Sequence, residues 1–127
     1  MPTVYRSVRI VLQNSTDDVF TVEGAEVIQG EWSPKLAVKN GERLEPQSAR
    51  AFGSESTILQ RGAEGFVRIG SVGGYLSLHW ARPWVGDFRL DVSQSHSRWQ
   101  VQTQVNEEDP AAVSVLAIVS PSAPLEK

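Results

Sequence analysis

The stretch YLSLHWARPWVGDFRLDV, residues 75–92, holds the residues of this chain best suited to chemistry. Trp80 and Trp84 flank Arg82 and Pro83. An aromatic face beside a guanidinium suits a headgroup that joins a choline- or ethanolamine-type cation to a phosphate. The ring quadrupole attracts the cation and the arginine pairs with the phosphate. The same residues suit a sugar ring or a protein partner. Trp84 follows Pro83 in an expected loop and precedes Val85 and Gly86, a costly place for a large aromatic without a use. Trp32 sits similarly in GEWSPK, between Gly30 and Pro34. Tryptophan and tyrosine favour the membrane interface, where an apolar body and a polar N–H or O–H each find a suitable medium. Trp80 shares a strand side with Leu76 and Leu78, and Trp99 opens the alternation WQVQTQV. The core is the expected direction for both.

Enzymatic chemistry finds little to work with. The two histidines, His79 and His96, stand in no His-x-His or Glu-x-x-His spacing that would support zinc. His79 reads as a strand residue facing solvent or a neighbour, and His96, in SQSHSRW, as a polar loop residue. There is no cysteine, hence no disulfide framework and no thiolate metal site. The acidic runs at 17–18 and 107–109 lie in turn-like sequence and read as solvated charge. A glycosidase-type pair can be assembled from Glu64 and Asp87, but nothing in their spacing supports it. The glycines of GSVGG lack the following helix and lysine of a phosphate loop. The expectation is a non-enzymatic protein with no metal and no cofactor. A net charge of −3 without a basic cluster argues against duplex nucleic acid, and against attachment by simple attraction to anionic lipid.

The elements that must position these residues are strands. In TVYRSVRIVLQN, Val4, Val8, Ile10 and Leu12 fall on one side, the period of a half-buried strand. NSTDD follows as a turn whose side chains cap their own backbone. Gly24 and Gly30 mark a turn or bulge in VFTVEGAEVIQGEW. Asn40-Gly41, between Leu36/Val38 and Leu44, signals a hairpin. SARAFGSEST is another strand, and EGFVRIGSVGGYLSLHW gives two, joined through Gly70 to Gly74. In the second of these, Tyr75, Ser77 and His79 alternate with Leu76, Leu78 and Trp80. FRLDV, RWQVQTQV and AAVSVLAIV complete the set. No helix is expected, and Pro46 interrupts the one segment, 42–52, that could turn. The 127 residues make one domain: an all-β, single-domain antiparallel β-sandwich of two sheets, with its core over about residues 4–120 and a tail, 121–127, that frays. The N-terminus, broken by Arg6 and Arg9, does not read as a signal peptide. No apolar run approaches the ~20 residues of a membrane span. The chain is therefore expected in the cytoplasm at synthesis.

Four stretches, taken in order, resemble the aegerolysin family. VRIVLQNST resembles its first strand, an aliphatic run ending in an asparagine. GEWSPK resembles its tryptophan segment, and RGAEGFVRI its Gly-Thr-Glu-Gly motif, with Ala63 in place of threonine. LHWARPWVG resembles its aromatic-x-x-Pro-aromatic loop. Each motif alone is weak, but together they match in order and spacing over about residues 4–120. Within the family the likeness is to the bacterial insecticidal branch, the small subunits of binary toxins. There NPF stands where this chain has RPW, a polar stretch like SQSHSRWQV follows, and cysteines are absent too.

The resemblance implies a β-sandwich that recognises a membrane lipid, often a sphingolipid headgroup. It also implies a larger pore-forming partner, perforin-like or of another β-rich fold, which the small protein recruits to the target membrane outside the cell. Carried over by position, Trp32 and Trp84 become membrane-contacting or headgroup residues. Arg82 and Trp80 lie in the same motif as Trp84, Glu64 lies in the glycine turn near the site, and Tyr75 begins the strand that leads there. Arg61 aligns with a glutamate linked to sterol-dependent lipid recognition in fungal members, a charge reversal that sets sphingomyelin–cholesterol specificity in question. The residues themselves leave open a carbohydrate-binding module and a protein–protein adaptor. Exposed strand edges also allow a homo-oligomer, though no residue demands one.

Overall fold

The structure, a computed structural model, describes residues 3–95 and 98–122. His96 and the tail residues 123–127 lie outside the described residues. Ten strands follow in chain order: β1 (Arg6–Asn14), β2 (Phe20–Gln29), β3 (Glu31–Trp32), β4 (Arg43–Leu44), β5 (Ser48–Ser56), β6 (Ala63–Ser71), β7 (Gly74–Arg82), β8 (Arg89–Gln94), β9 (Trp99–Asn106) and β10 (Ala112–Pro121). No helix occurs among the described residues. The alternations of the sequence become faces. Val8, Ile10 and Leu12 of β1 are buried while Arg9 points out, and Leu76, Leu78 and Trp80 of β7 are buried while Tyr75, Ser77 and His79 face the other way.

One sheet has the order β3-β5-β1-β10-β9 and the other β4-β2-β6-β7-β8. Their apolar faces meet in a core built around Trp80, Phe20, Phe52, Ile10, Leu76 and Leu78. The sheets are antiparallel with one exception: β1 and β10 pair in parallel, from Ser7 opposite Ala112 to Asn14 opposite Val119. The expected antiparallel sandwich of two sheets is found, with this one parallel pair inside it. The rest of the chain serves as the long crossover a parallel pair requires, which no local pattern announces.

The glycines of the second strand act as expected. β2 slips register against β6 beside Gly24 and again before Gln29. At Gly30 the chain leaves the second sheet for the first, with φ at 92°, and a Cβ there would stand 2.4 Å from the Glu55 carbonyl oxygen. Conformation and space both demand glycine. The hairpin expected at Asn40-Gly41 is corrected. A turn does form, with the Glu42 N–H donating to the Lys39 carbonyl, but residues 36–38 are not a strand. The short β4 that follows pairs with β2, Phe20 opposite Leu44. Val38 is drawn into the core instead, a tertiary demand that outweighs the local signal.

Opposite the end that carries the Trp84 loop, a buried asparagine ties the sheets together. Asn14 ends β1 with no solvent exposure. Its Nδ2 donates to the carbonyls of Asp18 at 2.8 Å, Glu45 at 3.2 Å and Leu44 at 3.3 Å, and its Oδ1 accepts from the backbone N–H and hydroxyl of Thr16. β1 belongs to the first sheet and Leu44 to the second, so one side chain bridges both. Removing it leaves several buried groups unsatisfied. Asn14→Ala is expected to lower the unfolding free energy by roughly 3 kcal/mol, read as a fall in urea midpoint at unchanged m.

Candidate functional site

Five segments converge at one end of the sandwich: residues 3–5, the β2–β3 corner, and the loops 57–62, 83–88 and 107–111. Their closeness is fixed by named contacts. The Tyr5 N–H donates to the Ser56 carbonyl at 2.8 Å. A Cβ on Gly62 would stand 2.5 Å from the Arg82 carbonyl oxygen and 2.8 Å from Pro83 Cα. Only a residue without a side chain lets these two loops touch by backbone. The Arg82 Nε donates to the Pro110 carbonyl, bringing in the third loop.

This end carries an unusual share of exposed aliphatic surface. Val85 is 83 % exposed, Ile58 and Leu59 are each 59 % exposed, and Ile28 and Val4 are about half exposed. They make five of the eight large exposed hydrophobics among the described residues. Beside them a concavity of about 280 Å³ is lined by Ile28, Glu31, Glu55, Ile58 and Arg61. Exposed aliphatic side chains gathered at one end of a sandwich make that end a candidate contact surface.

Trp84 is held within this end. The Arg6 guanidinium stacks 4.1 Å from its ring centroid, and the Tyr5 ring meets it edge-on at 6.0 Å. Arg6 also donates from Nη2 to the Trp84 carbonyl at 2.9 Å and from Nη1 to the Tyr5 carbonyl at 2.8 Å. Its Nε is buried without an acceptor, a cost the stacked arrangement bears. Trp84 is thus a half-buried indole with a cation on one face. Arg82 turns inward as well: beyond Pro110, its Nη1 donates to the carbonyls of Pro83 at 2.9 Å and Gly86 at 2.7 Å. In this arrangement Arg82 braces the 83–86 loop rather than presenting a guanidinium outward.

Of the remaining expected site residues, Trp32 and Glu64 adjoin this end, whereas Trp80 and Tyr75 do not reach its surface. Trp80, carried into the set with its motif, is corrected to the core. It is fully buried and donates from Nε1 to Ser54 Oγ at 2.8 Å, so it reaches no surface ligand. Trp32 packs its ring 6.3 Å from that of Trp80 and is half-buried. Glu64 and Tyr75 sit on the outer face of the second sheet, opposite Ala81 and Gly70, so about 20 Å separates them along β7. Glu64 lies 2.7 Å from His79 Nε2, and Asp91 lies 3.6 Å from Nδ1 of the same ring. The Tyr75 ring is covered at 4.0 Å by Arg68, which also pairs with Glu23 at 3.2 Å. The glycine motif that contains Glu64 is a packing device. Gly62 admits the Arg82–Pro83 backbone, and a Cβ on Gly65 would stand 2.7 Å from the Trp80 ring.

Sequence reasoning passed over Tyr5, Arg6, Ile28, Ile58 and Leu59. The adjacent aliphatics in the loop sequence STILQRG were the available signal. That Tyr5 and Arg6 meet Trp84, and that Ile28 and Ile58 line one concavity, are tertiary facts.

The fold is shared with known structures. The RahU protein, solved in complex with a TRIS molecule, superposes with a TM-score of 0.74 at 11% identity, over 97% of this chain and 100% of that one. The lipid binding protein Nakanori superposes with a TM-score of 0.78 at 15% identity, over 93% of this chain and 72% of that one. These likenesses accord with an aegerolysin-like fold. No protein-family model and no curated protein matches the sequence.

Replacing Arg6 by Ala removes the cation from the Trp84 ring and a donor from its carbonyl. Stability is expected to fall by about 1–2 kcal/mol. In 5-fluorotryptophan spectra the Trp84 resonance should shift and broaden while that of Trp80 stays in place.

Proposed function

We propose that this chain is the membrane-lipid-recognising component of a two-component pore-forming toxin, insecticidal in kind. It binds the target membrane outside the producing cell and recruits a larger pore-forming partner, perforin-like or otherwise β-rich. The aliphatic loop end carries the membrane part of this reading. Burying the exposed portions of Ile28, Ile58, Leu59 and Val85 in a lipid interface contributes on the order of 1 kcal/mol each. That supports weak, reversible attachment, with headgroup contacts supplying the remainder. Trp84, with its polar N–H and apolar ring, suits the depth of the headgroups. Trp32, Glu64 and Tyr75 remain secondary candidates as headgroup contacts. The shared fold with a protein described as lipid binding supports the same reading, and the motif resemblance supplies the toxin and the partner. A sphingolipid is the headgroup class that resemblance favours.

The test is cosedimentation with vesicles of ceramide phosphoethanolamine, of sphingomyelin with and without sterol, and of phosphatidylcholine. Wild-type protein is expected to pellet selectively with a sphingolipid. Ile58→Asp combined with Leu59→Asp, on loop tips where folding is not at stake, should weaken that binding roughly tenfold or more. Unchanged binding by the double variant would overturn the loop-end assignment. Glycan binding with all vesicles ignored would favour the carbohydrate module instead.

A further inference from the structure

Among the described residues, the longer edge strand of the first sheet is β9. Its sequence, WQVQTQVN, has no charged residue and no proline. It pairs with β10 through eight consecutive positions, from Ser114 opposite Asn106 to Pro121 opposite Trp99, with no register shift. Charge, proline and bulges are the devices that keep edge strands from pairing with other chains, and β9 has none of them.

The strand also reads almost alike in both directions. About Thr103, Gln102 matches Gln104, Val101 matches Val105, and Gln100 matches Asn106. Its backbone presents the corresponding groups. The Arg98 carbonyl accepts from the Ser122 N–H at 2.7 Å, so position 98 faces β10. The Trp99 carbonyl accepts instead from the Gln94 side chain at 3.1 Å. Strand alternation then turns the N–H and C=O of Val101, Thr103 and Val105 toward the open side.

We propose that β9 is a self-pairing edge: two copies of this chain join antiparallel about a two-fold axis at Thr103, fusing their first sheets into one. Isologous pairing requires a surface that complements itself, and the near-palindrome supplies it. Threonine meets threonine and valine meets valine on the inner row, and amide meets amide on the outer row. Such cross-strand pairs stabilise a sheet. The sandwich is also open along this flank. Val105 opposes the buried Val115 and Val92 of β8 opposes the buried Leu78, yet they are 43 % and 39 % exposed. A second strand beside β9 would cover Val105. This inference rests on β9 alone and is independent of the loop end and of lipid.

Sedimentation velocity of the whole chain is expected to show a species of twice its 14.0 kDa mass. Thr103→Pro removes only an N–H that points away from β10, a position where an edge strand tolerates proline. That variant should keep its circular dichroism and sediment as a monomer. Thr103→Lys, which sets two ammonium groups face to face, should do the same. Because the chain has no cysteine, Thr103→Cys should oxidise to a covalent dimer while Gln100→Cys, facing Asn106, should not. A wild-type chain that stays monomeric on concentration would overturn the inference. So would a dimer that survives both Thr103 substitutions, or equal cross-linking at positions 100 and 103.

Discussion

The indole of Trp80 is the interaction on which the rest of the molecule depends. It lies between the sheets, its N–H held by Ser54 Oγ of the first sheet and its ring in the space Gly65 leaves on the second. Phe52 and Trp32 close around it, with ring centroids at 5.6 and 6.3 Å. A buried indole contributes a large apolar area, but only if its N–H is satisfied. The hydroxyl of Ser54 therefore sets where β7 crosses β5. Strand β7 ends two residues later at Arg82, and the loop bearing Trp84 starts from that anchored point. The position of the outermost tryptophan follows from that of the innermost.

From this anchor the loop end is organised by inward polar bonds and outward aliphatic tips. Arg6 and Arg82 both direct their guanidinium groups at backbone carbonyls of residues 83–86, and Arg82 at Pro110 as well. Loops of this kind lose little freedom when they meet a surface, because their backbones are already held. What they present to solvent includes Val85, Ile58, Leu59 and Ile28, beside the charged Arg61, Asp87, Glu107, Glu108 and Asp109. Charge is spent on shape, which agrees with a chain whose net charge offers no general attraction to anionic membranes.

Fold and function stand at different depths in this molecule. At 11% and 15% identity to RahU and Nakanori, little but the architecture is held in common, and architecture alone does not assign an activity. The motifs that carry the family resemblance are largely packing motifs: the asparagine that bridges the sheets, the glycines that admit a backbone and an indole, the tryptophans of the core. They specify how the sandwich closes. Loop side chains, by contrast, vary freely over such a frame.

The sequence by itself determined the strands, the single all-β domain and which face of each long strand turns inward, because period-two alternation and turn chemistry are local properties of the chain. Val8, Ile10, Leu76, Leu78 and Trp99 were legible as core for that reason, and Gly30 as a turn. The glycines of RGAEGF were visible as a motif, but their purpose was not, since it depends on what approaches them from β7 and its loop. Only the tertiary structure decided that β1 and β10 run side by side in parallel, and that Asn40-Gly41 leads into β2's neighbour rather than a hairpin. It also decided that Arg82 donates to the carbonyls of Pro83, Gly86 and Pro110, and that Ile28, Ile58 and Val85 share one end. Each of these joins residues far apart in the chain. Such contacts are selected by the burial and hydrogen bonding of the whole sandwich, and no window of sequence contains them.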